Sequence, residues 1–123
     1  MPKVGLFACF SGGSNTGSLT GMAALEVVRR LGSDAVGVCS LPAILSDVPR
    51  QSALVRRIGK FIVVDGCPLN CARKIVEAAG FTPDRIINLV EDCGLKKGPP
   101  LEYSDEDLQL AVRAISEAVR AED

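Results

Sequence analysis

Four short apolar runs, each rich in β-branched or aromatic residues and separated by stretches of helical periodicity, limit this chain to very few folds. The runs are Lys3 to Ala8, Ala35 to Val38, Lys60 to Val64 and Arg85 to Val90. Apolar runs of this length with helices between them read as buried parallel strands. The intervening patterns are equally regular. Ala24, Val27, Val28 and Leu31 have the i, i+3, i+4, i+7 spacing of a buried stripe, with Glu26, Arg29 and Arg30 facing out and Gly32 at the stop position. Pro49 suits the first turn of a short helix ending near Ile58 and Gly59, and a further helix is expected from Asn70 to Ala79, stopping at Gly80. Ser104 caps the last helix, with Asp105, Glu106 and Asp107 in its first turn, and Leu108, Ala111, Val112, Ile115 and Val119 share one face. Ser40 to Asp47 and Cys93 to Pro100 read as loops.

Strands alternating with helices imply right-handed crossovers and a parallel sheet covered on both faces. The expected fold class is α/β: a three-layer α/β/α domain, doubly wound, with a four-stranded mainly parallel sheet in the order 2-1-3-4. At 123 residues and 47% hydrophobic content, residues 1–123 form one domain with a substantial core.

The five cysteines follow this frame. Cys9, Cys39 and Cys67 come just after the first three runs, Cys71 four residues after Cys67, and Cys93 three residues past the fourth run. Ligands of open parallel sheets bind at the carboxyl edge of the strands. Neighbouring strands are about 4.8 Å apart and zinc–sulfur bonds about 2.3 Å, so thiols from adjacent strand ends can converge on one ion. Cys67-Pro68-Leu69-Asn70-Cys71 places two thiols at a strand-to-helix turn, where a helix dipole favours thiolate and Arg73 and Lys74 add positive charge. The alternative for each cysteine is a small buried hydrophobe, and this is the reading favoured for Cys93. Asp65 is expected to support the site or to cap the loop.

The chain has no histidine, which excludes Ser-His and Cys-His catalytic pairs and mixed Cys-His metal sites. A net charge of -1 without a basic cluster argues against nucleic acid, and no apolar stretch is long enough to span a membrane. The start, Met1-Pro2-Lys3, leads straight into a strand, so a cytoplasmic location is expected. In a reducing compartment the cysteines point to metal or thiol chemistry rather than to disulfides. The turn Ser11-Gly12-Gly13-Ser14-Asn15-Thr16 could cradle a small anion, or could simply cap the helix that follows. Cys67 and Arg73 also have the C-x5-R spacing of cysteine phosphatases, but Pro68 removes a loop amide and no Ser or Thr follows the arginine.

Cys9 to Gly17, Cys39, and Asp65-Gly66-Cys67 with Cys71-Ala72-Arg73-Lys74, followed by Val76 to Gly80 and Gly94 to Gly98, resemble the DGC-domain family over nearly the whole chain. The resemblance implies zinc held by four cysteines, which here correspond to Cys9, Cys39, Cys67 and Cys71. It assigns no ligand role to Cys93 and no biological role to the protein. Two other classes stay open at this point: a redox or sulfur-transfer enzyme using Cys67 and Cys71, and an iron–sulfur protein.

Overall fold

The computed structural model describes residues 2–121. Among them, four strands and six helices follow one another as β1 (Val4–Ala8), α1 (Asn15–Leu31), β2 (Val36–Val38), α2 (Leu41–Leu45), α3 (Pro49–Arg57), β3 (Lys60–Asp65), α4 (Cys71–Ala78), β4 (Arg85–Asn88), α5 (Leu89–Cys93) and α6 (Asp105–Arg120). The sheet is wholly parallel, in the order β2-β1-β3-β4, as the alternation of elements predicts.

Every residue of β1 is buried, as a central strand covered on both faces requires. Its alternate side chains enter two cores. Leu6 and Ala8 join Ile62, Val64, Leu19, Val27 and Ile115 under α1 and α6. Phe7 joins Val63, Ile44, Val55 and Val76 under α2, α3 and α4. The three layers follow from this period-two division. The stripe of α1 is buried at Ala24 and Val27 and half-buried at Val28 and Leu31, while Ala111, Val112 and Ile115 carry the inner face of α6. Gly32, at φ 92°, ends α1, and Ser104 and Asp107 close a reciprocal capping box at the start of α6.

Two stretches differ from expectation. Ser40 to Asp47 is not all loop: Ser40 caps α2, accepting a hydrogen bond from the Ala43 amide at 3.3 Å, and Pro42 sits in its first turn. The fourth run ends as a strand at Asn88 and not at Val90. The Asn88 side-chain oxygen accepts from the Val90 and Glu91 amides, both at 3.1 Å, and so starts α5. Cys93 therefore ends a short helix, half-buried against the core under α1 and α6. No helix among the described residues is long and apolar enough to cross a membrane.

Candidate metal centre

The chain leaves β1 through α1 to reach β2 on one side, then returns past β1 to lay β3 on the other. The direction of winding thus reverses between β1 and β3, which is where doubly wound sheets open a crevice. Cys9 stands one residue past β1 and Cys67 two residues past β3. With Cys71 they line one cleft of about 90 Å³, walled also by Ser11, Ser14 and Asp65 and reached by Lys97.

Cys9 is held by the strand ladder, its amide donating to the Val64 carbonyl at 3.0 Å. The chain then turns sharply at Phe10, whose φ of 55° is rare for a bulky residue. The Phe10 amide donates to Thr20 Oγ1 at 2.8 Å, and its ring lies where a Cβ on Gly21 would come within 2.2 Å of it. Glycine at that position of α1 lets the Cys9–Ser14 loop fold down onto the helix.

Asp65, Gly66 and Cys67 each have a distinct physical reason to be there. The Asp65 carboxylate, buried at the start of α4, accepts from the Ala72 amide at 2.8 Å and the Arg73 amide at 3.0 Å. It is the cap of α4, supplied from β3, and it fixes Cys71 as the first residue of that helix. A Cβ on Gly66 would meet the backbone of Thr16 and Gly17 at 2.6–2.7 Å, so only glycine allows β3 to abut the start of α1. Cys67 then turns out into the cleft. Its carbonyl accepts from the Asn70 amide at 3.1 Å and from Asn88 Nδ2 at 2.8 Å. Asn70 takes the left-handed conformation that the turn needs, and Asn88 Nδ2 also reaches its side-chain oxygen at 3.0 Å.

Of the residues expected to bring positive charge to the cleft, Arg73 does not. Arg73 Nε pairs with Glu77 at 2.9 Å along the exposed face of α4, which also removes it from the C-x5-R arrangement. Instead Lys97 Nζ approaches Cys67 Sγ at 3.6 Å. Lys97 is held there by Asn15, which is buried and whose Nδ2 donates to the Lys96 and Glu102 carbonyls, both at 2.9 Å. The sequence signal for this is slight: two adjacent lysines inside a loop of glycines and prolines.

Electrostatics set the cysteines apart. Burial pushes the Cys9 thiol above its ordinary value; a backbone hydrogen bond from Ser11 lowers it, and the nearby charges of Asp65, Cys71 and Cys67 raise it again. These neighbours act on Cys9 because the three thiols share the cleft. Cys39 is elsewhere. It is buried among Phe7, Ile44 and Ile58, with its sulfur 3.0 Å from where a Cβ on Gly5 would stand. Burial alone pushes its thiol up to about 11. Cys39 and Cys9 share the wall of a larger apolar pocket next to the cleft, and Cys9 packs against the cluster that buries Cys39. Cys93, also raised by burial and by Asp92, lies against the opposite face of the sheet.

Three thiols, with a facing ammonium to offset their charge, are a donor set that fits a thiophilic cation. Among the described residues no group of three or more His, Cys, Asp or Glu side chains is placed so that it could hold a metal ion without rearrangement. The Asp65 carboxylate is committed to α4 through both oxygens. At the Ser11–Thr16 turn, the Gly17 amide donates to Ser14 Oγ at 3.0 Å, Thr16 to Asn15 Oδ1 at 2.8 Å and Asn15 to the Gly98 carbonyl at 3.1 Å.

The profile of the DGC domain matches residues 5–115, and the chain belongs to that family. No curated protein and no solved structure matches it.

Proposed function

We propose that this member of the DGC domain family binds a thiophilic metal ion, best matched by zinc, through Cys9, Cys67 and Cys71. The observation that carries the proposal is the meeting of these three thiols in one cleft at the reversal point of the sheet, faced by Lys97. Thiolate ligands suit zinc among the common divalent ions, and zinc held by them would supply a Lewis-acidic centre. The protein's own residues set the rest. The strand ladder holds Cys9, the Asp65 cap holds Cys71, and Asn88 holds the Cys67 turn. The Lys97 ammonium offsets part of the negative charge that three thiolates bring together.

Cys39 is the fourth ligand that the family resemblance implies. Its packing over Gly5 favours a three-thiol site, and reaching the cleft would require its side chain to leave an apolar core. Metal content of single variants tests both points. Cys9→Ser, Cys67→Ser and Cys71→Ser should each lose zinc, while Cys93→Ser and Cys39→Ser should retain it. Loss in Cys39→Ser would restore the four-thiol site. A brown protein containing iron and sulfide would replace zinc with a cluster.

The Lys97–Cys67 contact also favours a second reading, in which Cys67 is a nucleophilic thiol and Cys71 its partner in redox or sulfur-transfer chemistry. Metal-free protein as purified, with Cys67 alkylating faster than the other four cysteines, would support it over the metal site.

A further inference from the structure

Beside the thiol cleft lies a second, larger pocket of about 580 Å³, and Cys9 is on the wall of both. Its volume is within the range of small-molecule sites. Its ten lining residues include no charged side chain. Ser40, its one hydroxyl, is engaged in capping α2.

We propose that this pocket binds a neutral, largely apolar small molecule whose end lies against the Cys9 thiol. Three observations support the class of ligand. Phe10, Val38 and Leu45 converge on the pocket while 46%, 36% and 53% exposed, so an apolar occupant would remove costly apolar surface from water. A charged occupant would find no countercharge in the lining and would be desolvated without return. The walls are formed in advance: Phe10 is fixed by its bond to Thr20 and its seat on Gly21, and Ile75 by α4. Because Cys9 also faces the cleft, the bound molecule is brought next to the three thiols. Binding itself does not depend on whether those thiols hold a metal.

The experiment is a fluorescence titration of the full chain with the neutral probe N-phenyl-1-naphthylamine, with methyl-group NMR on the same sample. Saturable one-site binding is expected, with shifts at the methyls of Val38, Leu45 and Ile75 and none at Val27 or Ile115. Leu45→Glu should weaken binding by at least about tenfold, since its carboxylate would have to be buried or swung aside. Leu110→Glu, exposed on α6, should leave it unchanged. The proposal is overturned by absence of saturable binding, by shifts confined to other methyls, or by equal binding in Leu45→Glu. It is also overturned if the wild-type chain is a dimer that Leu45→Glu dissociates, since the occupant would then be a second copy. The NMR shifts on wild-type protein decide the matter even if Leu45→Glu does not fold.

Discussion

Asn15 and Gly98, 83 residues apart, are bonded in both directions: the Asn15 amide donates to the Gly98 carbonyl at 3.1 Å, and the Gly98 amide donates to Asn15 Oδ1 at 2.7 Å. This clasp ties the loop after α5 to the start of α1 and so places Lys97 over Cys67. Asn15→Ala should lower stability by roughly 1–3 kcal/mol, because the buried Thr16 amide and the partly buried bonds to Lys96, Gly98 and Glu102 are lost at once. Urea denaturation measures this. Hydrogen exchange should also speed up at Gly98 and hardly change in the sheet. An unchanged Gly98 amide would mean that the loop is held by other contacts.

Asp65→Ala is expected to cost roughly 2–3 kcal/mol, since the Ala72 and Arg73 amides lose a charged cap in a buried setting. Asp65→Asn should lose part of that, because its amide offers one acceptor where two are used. The variants should fray the first turn of α4, and Cys71 with it. Thermal melts combined with the alkylation rate of Cys71 test the pair, and a neutral Asp65→Ala would contradict the capping role.

Cys39 gives the protein an alkaline limit. Below about pH 9 its thiol is neutral in both the folded and the unfolded chain, and burying it carries no charge penalty. Between about 9 and about 11 the unfolded chain gives up this proton first, so stability falls as pH rises. Two pH units correspond to an upper figure of about 3 kcal/mol. The stability advantage of wild type over Cys39→Ala should therefore shrink across that range in chelator-treated protein. A constant difference would mean that Cys39 is not buried as described.

Lys97 faces Cys67 from an exposed position, so its effect should be modest. Lys97→Met is expected to weaken zinc binding about two- to fivefold in competition with a chromophoric chelator, in line with about 0.5–1 kcal/mol for an exposed charge contact. Arg73→Met should have less effect, because its guanidinium is turned to Glu77. The reverse order would return the compensating charge to α4.

Much of the fold is legible in the sequence because a buried parallel strand has to be apolar on both faces. Phe61 to Val64 can hardly be anything else, and the four runs with their helical spacers dictate the winding. The boundaries are less legible where a cap lies inside an apolar stretch. Asn88 interrupts Ile86 to Val90, yet only the folded chain shows its oxygen bonded to the two amides that begin α5. Leu41 to Leu45 is a single turn and carries too few residues for periodicity. At the site, the placement of Cys9 and Cys67 follows from strand order. The direction of the Cys39 thiol does not, because it depends on the space left by Gly5 on the neighbouring strand. Lys97 owes its place to Asn15, a contact between segments far apart in sequence, and no local pattern announces it.

The central claim is a metal held by Cys9, Cys67 and Cys71, and zinc-edge X-ray absorption of the purified full chain tests it most directly. The expected spectrum has three sulfur neighbours at about 2.3 Å and one lighter neighbour; it should be unchanged in Cys39→Ser, while Cys9→Ser should retain too little zinc to give that shell. Four sulfurs, falling to three in Cys39→Ser, or a zinc shell without sulfur, would contradict it.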